Sequence, residues 1–254
     1  MTMPPPPPPR RSVSTLVIVL VVACSLLICA GLTAGGFALY FVLGSGSSTS
    51  TASEPTPSAV PTATGGGSTG GCVWAPADSD NSPRKVTTPT TVERRKMTAT
   101  IVTNLGTITM DLYGDKAPCS VASLRSLAGQ GYFDNTACHR VTTAADGLVI
   151  LQCGDPSGAG TGGPGYQFAE ENLPTGQAKP YPRGTVAMAR TATPGTNGSQ
   201  FFIVGADADL APDYSVIGTV TGGMEFVDQV IAGGHGTEDE KPKVPVTLTR
   251  VTVS

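Results

Sequence analysis

Thr107-Ile108-Thr109-Met110-Asp111-Leu112 alternates polar and apolar side chains over six residues, the period of a strand with one buried and one solvated face. Just upstream, residues 99–103 are rich in β-branched side chains, and Asn104-Leu105-Gly106 supplies turn chemistry between the two runs. A hairpin is therefore expected to open a domain at Met97. Further β-rich runs follow at 137–142, 148–153, 185–189, 200–204 and 215–220, and the chain ends in VPVTLTRVTVS from Val244. Two helices interrupt them. Behind Pro118, Val121, Leu124 and Leu127 or Ala128 recur at helical spacing until Gly129 and Gly131 stop the pattern, and Met224, Val227, Val230 and Ile231 suggest the second. About eight strands and two helices in some 158 residues argue for a mainly β domain, an antiparallel barrel or sandwich with helices on its ends. A domain of that length buries about 70% of its unfolded surface and needs no staple to fold.

Upstream of residue 97 the texture is different. Residues 1–12 are a proline-rich tail with six consecutive prolines followed by Arg10 and Arg11. Residues 13–43 form an uncharged, mostly apolar run of 31 residues, beyond the ~20 that a membrane-spanning helix requires. Arginines precede it and no Lys or Arg follows until Arg84. The positive-inside bias thus predicts a single-pass plasma-membrane anchor with a cytoplasmic N-terminus and an extracytoplasmic domain. A cleaved signal peptide, or a lipoprotein signal using Cys24, expects the apolar run to end near the processing point, yet it continues some twenty residues past Cys24. Residues 44–96 are dominated by Ser, Thr, Gly and Pro and read as a disordered linker. The only tryptophan, Trp74, lies in it beside Cys72, as a residue that docks on the domain or as a sticky part of the tether.

Charge and residue counts remove several function classes. From Met97 onward there are 9 basic and 15 acidic residues, a balance of −6, whereas a nucleic-acid binder needs a basic face. His139 and His235 are the only histidines, and the six cysteines contain no C-x-x-C, so neither a metal site nor a cofactor is expected. Gly158-Ala159-Gly160-Thr161-Gly162-Gly163 fits G-x-G-x-x-G, but Pro164 and Gly165 stop the helix a dinucleotide site requires. The segment reads as a glycine loop that approaches a ligand with its backbone. The acidic run Glu238-Asp239-Glu240 reads as a solvated loop.

The polar residues within strand-like runs are more informative. Cys138-His139-Arg140-Val141, Leu151-Gln152-Cys153-Gly154-Asp155, Gly160-Thr161-Gly162-Gly163, Ala187-Met188-Ala189 and Asn197-Gly198-Ser199-Gln200-Phe201-Phe202-Ile203, in that order, closely resemble the cyclophilin-type peptidyl-prolyl isomerases from about Thr98 to Val253. The resemblance implies a closed eight-stranded antiparallel barrel capped by two helices over residues 97–254, in a bacterial membrane-anchored form. It implies Arg140 as the donor to the prolyl nitrogen and Gln152 as the residue that holds the substrate carbonyl and steadies the arginine. Matching positions give an apolar proline slot from Val149, Ile150, Phe202 and Leu210, with Tyr214 and Gln200 at its rim and backbone around Ala189 and Arg190 to pin the peptide.

Several positions depart from the family pattern. Residues 142–149, TTAADGLV, make a longer connection than usual, and Val149 stands where the family has an aromatic ring, leaving less apolar surface against proline. Asp209 stands where many eukaryotic members carry a tryptophan associated with cyclosporin binding, so weak binding of that drug is expected. Cys138 and Cys153 replace the usual Phe and Gly; with Cys72 and Cys119 they make four extracytoplasmic cysteines, for which three disulfide pairings, or free buried thiols, stay open.

The implied activity is prolyl isomerisation on proline-containing segments of exported or envelope proteins. A proline-recognising binding or chaperone module with little turnover is the alternative, and an envelope scaffold with no affinity for proline is a third reading.

Overall fold

The computed structural model describes residues 67–77, 84–236 and 239–254. The expected tail at 1–12, the anchor at 13–43 and residues 44–66 and 78–83 of the expected linker lie outside them.

The hairpin that opens the main sheet pairs β3 (Lys96–Thr103) with β4 (Thr107–Tyr113); the two strands before it, β1 (Gly67–Thr69) and β2 (Cys72–Pro76), belong to a separate small sheet. Ala99 faces Met110 and Ile101 faces Ile108 across the hairpin, and all four are buried with Leu112. The Thr103 hydroxyl accepts from the Leu105 and Gly106 amides and closes the turn. Helix α1 (Pro118–Gly129) starts on proline, whose missing N–H costs nothing at a helix N-terminus, and buries Val121, Leu124, Leu127 and Ala128.

The chain then lays down β5 (Thr136–Ala137), β6 (Arg140–Thr142), β7 (Ile150–Cys153), β8 (Tyr166–Gln167), β9 (Thr185–Met188), β10 (Phe201–Val204) and β11 (Val216–Gly222). Helix α2 (Met224–Gly233) and β12 (Thr247–Val253) complete it. Nine strands form one antiparallel sheet in the order β5-β12-β3-β4-β11-β9-β10-β7-β6. Register shifts within β11 and β12 add the local bend and twist that curl it. At Gly218 a Cβ would sit 2.2 Å from the Asp111 carbonyl oxygen, so only glycine admits this strand pairing.

The closed eight-stranded barrel expected above is corrected to a curled, half-barrel sheet of nine strands with two ends. Those ends, β5 and β6, are consecutive in the chain. Only Cys138 and His139 separate them: the Cys138 amide still donates to Val246 on one side (3.0 Å) and the His139 amide to Gln152 on the other (3.2 Å). Two short strands joined head to tail cannot also pair with each other, so covalent chain spans the gap that a ladder would close.

The expected linker 44–96 is corrected over 67–77 and 84–95, and its last residue, Lys96, opens β3. Strands β1 and β2 form a hairpin whose turn residues Gly70 and Gly71 both have positive φ (59° and 85°), as a two-residue type I′ loop demands. Strand β2 adds to β8, giving a three-stranded sheet. Trp74 docks fully, 1% exposed, edge-on to Tyr166 and Phe168 at 5.6 and 5.3 Å. A tryptophan withdraws on the order of 200 Å² from water, about 5 kcal/mol, which offsets only part of the ~1–2 kcal/mol per residue needed to order the hairpin. The disulfide from Cys72 to Cys119 in α1 ties the hairpin covalently to the domain as well, and composition registers neither. Residues 84–95 are held by side chains: Arg84 donates to the Gly131 and Tyr132 carbonyls, both at 2.8 Å, and Gln130 bonds both ways with the Thr87 backbone.

Candidate active site

Strand periodicity divides the sheet between two clusters. Leu151 and Cys153, Val186 and Met188, Phe201 and Ile203, and Ile217 point to the main core. Their neighbours Ile150, Ala187, Phe202 and Val204 form a second cluster with Tyr181 and Ala208, on which Leu148, Ala189, Leu210, Tyr214 and Val216 pack. The second cluster packs on the face of the sheet away from the main core, where the resemblance places the proline slot. Arg140 pairs with Gln152, and Gln152 with Phe202, in adjacent registers, so the polar pair stands beside the slot on the same face.

A chain of side-chain hydrogen bonds runs along that face. Arg140 Nη1 donates to Gln152 Oε1 (3.4 Å), Gln152 Nε2 to Gln200 Oε1 (2.9 Å), and Gln200 Nε2 to the Gly160 and Gly162 carbonyls, both at 2.9 Å. The glycine loop is thereby the wall on which the network ends. Asp155, fully buried, holds the loop by accepting from the Ser157 and Gly162 amides at 2.7 and 3.0 Å. Burial alone would raise its pKa, but hydrogen bonds from Ser157, Gly162 and Gly160 together hold it below the usual carboxylate range. Gln152, Gly160, Gly162, Ala189, Arg190 and Gln200 line a cavity of about 600 Å³ with a further wall from Ala77, which leaves the N-terminal hairpin.

Among the sequence-predicted residues, Ile150, Phe202, Ala189, Leu210 and Tyr214 meet at the slot, and Arg140, Gln152 and Gln200 beside it. Val149 does not join them. Strand alternation turns it towards Gly205, where an added Cβ would meet its Cγ1 at 2.8 Å and Ile231 at 2.3 Å, and Leu148 packs on the slot instead. The guanidinium of Arg190 is spent within the protein: it donates to the Asp213, Thr191 and Ala192 carbonyls (2.9, 2.9 and 3.2 Å), pairs with Glu170 at 3.4 Å and lies 5.5 Å over Tyr214. It ties the loop after β9 to the Tyr214 rim.

Sequence reasoning missed Tyr181, Ala208 and Glu240. Tyr181 is the slot's buried floor, donating from its hydroxyl to Tyr214 O (3.1 Å) and accepting from Tyr214 N (2.9 Å); it sits between two prolines in an irregular stretch with no periodicity to mark it. Glu240 Oε2 accepts from Arg140 Nε. Both contacts join residues distant in sequence, and no local signal could have found them. His139 is 7% exposed with neither ring nitrogen partnered among the described residues, and burial pushes its pKa below the usual imidazole range, so it stays neutral near pH 7. Among the described residues no group of His, Cys, Asp and Glu is placed to hold a metal ion.

The other histidine sits beyond the site. His235 Nε2 faces Asp146 Oδ2 at 3.0 Å and Nδ1 faces the Gly236 carbonyl. Both nitrogens thus meet acceptors, which the doubly protonated ring alone satisfies. The Gly236 carbonyl first, then Asp146, raise its pKa; the Thr143 amide, His235 and the Thr143 hydroxyl pull Asp146 down to about 2. The raised imidazole contributes fully below its unfolded pKa and is lost as pH rises through its folded one. The depressed carboxylate contributes fully above its unfolded value and is lost as pH falls towards 2. The pair is therefore complete between about pH 4 and 6.5. An NMR titration of the His235 ring should show a midpoint above 6.5 that falls in Asp146→Asn; an unchanged midpoint would rule the contact out in solution.

Comparison with known proteins bears on this geometry. Residues 98–253 match the family model described as cyclophilin type peptidyl-prolyl cis-trans isomerase/CLD. The chain is similar to a probable peptidyl-prolyl cis-trans isomerase B of Mycobacterium tuberculosis, 44% identical over 193 residues, which cover 69% of this chain and 62% of that protein. The chain thus spans less than two thirds of the length of that relative. It is also similar to a probable peptidyl-prolyl cis-trans isomerase A of Mycobacterium leprae, 38% identical over 177 residues and 92% of that protein. Among solved structures, a cyclophilin type peptidyl-prolyl cis-trans isomerase of Cryptosporidium parvum superposes with a TM-score of 0.56 at 28% identity, covering 63% of this chain and 98% of that one. The same protein crystallised in the presence of the dipeptide Ala-Pro gives 0.55 at 29% identity.

Proposed function

The chain belongs to the cyclophilin-type peptidyl-prolyl cis-trans isomerase family, and from that premise we propose that it accelerates cis-trans isomerisation of X-Pro bonds in proline-containing segments of exported or envelope proteins. The observation that carries the proposal is the juxtaposition of Arg140 and Gln152 with an apolar slot on one face of the sheet.

Rotation about an X-Pro bond breaks amide resonance over a barrier of about 18–20 kcal/mol. In the twisted transition state the prolyl nitrogen regains a lone pair and becomes a better hydrogen-bond acceptor. A donor fixed opposite that nitrogen binds the transition state more tightly than either planar isomer, which is what catalysis requires. Arg140 is such a donor: with Nε on Glu240 and Nη1 on Gln152, no partner among the described residues uses Nη2. Ile150, Phe202 and Leu210 take the proline ring over the Tyr181 floor, Tyr214 edges the slot 5.5 Å from the Phe202 ring, and Gln152 positions the guanidinium.

We place the domain outside the cytoplasm. Two disulfides, Cys72 to Cys119 and Cys138 to Cys153, suit an oxidising compartment, in keeping with the charge asymmetry around residues 13–43. Uncatalysed prolyl isomerisation takes about 10–100 s and delays folding there.

The test is an exchange NMR or protease-coupled assay of an Ala-Pro peptide with the purified chain, alongside titration of its binding. Isomerisation well above the uncatalysed rate at catalytic protein concentration is expected. Binding without acceleration would mark a proline-recognising module, and neither would mark a scaffold.

A further inference from the structure

Glu240 lies a hundred residues from Arg140 in sequence, yet its carboxylate accepts from Arg140 Nε. Its main chain is fixed in place. Its φ is 51°, a left-handed conformation that few non-glycine residues adopt, and its carbonyl accepts a 2.8 Å hydrogen bond from the Val141 amide on the outer edge of β6. The loop around it is clasped by Lys243 N to Gly234 O (2.9 Å) and Gly236 N to Lys241 O (3.1 Å). His235, in the same loop, is bound to Asp146 in the short 3₁₀ turn of the long connection after β6. That connection, which is longer than the family pattern, is thus the seat of the loop that carries Glu240.

An arginine side chain turns about several torsions, and a single 3.4 Å hydrogen bond from Nη1 to Gln152 leaves the guanidinium free to swing about that bond. A second acceptor at Nε gives the rigid planar fork two held nitrogens, which together with its attachment through Cδ fix its plane. An ionised acceptor does so more strongly than a neutral one. Both partners are partly exposed, at 36% and 42%, so the pair adds little to stability; what it supplies is orientation.

We propose that Glu240 is a positioning residue for the isomerisation, setting the plane of the Arg140 guanidinium so that Nη2 is presented to the prolyl nitrogen as the amide twists. This role rests on the isomerase reading above and adds to it a residue from the acidic loop.

The test compares the full chain with Glu240→Ala, Glu240→Gln and Arg140→Ala, reading kcat by exchange NMR, peptide affinity by titration, and the Arg140 Nε–H resonance. Glu240→Ala is expected to lower kcat about 10-fold, short of the ~10²-fold loss that a 1 Å misplacement can bring. Peptide affinity should stay within about two-fold, because the slot is untouched, and the Nε–H signal should be lost to solvent exchange. Glu240→Gln keeps an acceptor oxygen without the charge and should fall between, and it decides the matter if the alanine variant does not fold. An unchanged or raised kcat in a folded Glu240 variant, or a loss confined to affinity, overturns the role. Turnover abolished in Arg140→Ala but intact in the Glu240 variants overturns it while leaving the isomerase reading standing. No turnover in the wild type overturns both.

Discussion

Arg140→Ala is expected to lower kcat/KM for an Ala-Pro peptide by about 10² or more, the scale for removing a key transition-state donor. Folding should be unaffected. The side chain is about a third exposed and its ion pair lies at the surface, where such pairs contribute ~0–1 kcal/mol. The apolar slot takes none of its surface from Arg140, so peptide affinity should persist while turnover falls. Arg140→Lys should restore little, because an ammonium keeps the charge but cannot bond Glu240, Gln152 and substrate from one rigid plane. Exchange NMR on folded variants checks this. An alanine variant within a few-fold of the wild-type rate would remove the arginine from the mechanism.

Opening the Cys138 to Cys153 bridge with a double serine substitution is expected to cost stability and turnover together. The cysteines are 15 residues apart in sequence with Cα atoms 4.1 Å apart, and closing a loop of that size is worth about 3 kcal/mol. For a domain of this size that corresponds to a Tm lower by about 6–12 °C. Location adds to the effect. Cys138 lies where the chain crosses from β12 to β7 without a ladder to hold it, two residues before Arg140, and Cys153 directly follows Gln152. The bridge therefore fixes the strands that carry both ends of the 3.4 Å contact between Arg140 and Gln152. Urea unfolding and the isomerisation assay measure the two losses. Full turnover in a destabilised variant would assign the bridge to stability alone.

Much of the fold was legible locally. The alternation at 107–112 and the turn at 104–106 mark the hairpin that is observed, and the spacing in 119–128 and 224–231 marks both helices within a few residues. The run 137–142 reads as one strand but is two, because Cys138 and His139 change partners between β12 and β7, which no periodicity records. Residues 67–77 carried a Gly70-Gly71 hairpin signal, but their strands are short and poor in β-branched residues. Their order depends on Trp74 packing against Tyr166 and Phe168 and on a bond to Cys119, all remote in sequence. For the site, period two within β7, β9 and β10 separates core residues from slot residues and brings Ile150, Gln152, Phe202 and Ala189 to one face. It also puts Leu148 rather than Val149 on that face, as observed; the family match, not the alternation, assigned Val149 to the slot.

By itself the sequence determined the opening hairpin, both helices and most strands of the main sheet, the faces those strands present and, through the runs around Arg140, Gln152 and Gln200, the family. These are local properties, set by side-chain period, turn chemistry and short motifs. Tertiary structure alone decided that the sheet stays a curled ladder with two ends, which of three disulfide pairings forms, that Trp74 docks, and that Tyr181 and Glu240 reach the site. Each of these depends on a contact between residues brought together only when the sheet curls. Loop-closure entropy is repaid by those contacts after the chain has folded, so nothing in the neighbouring residues announces them.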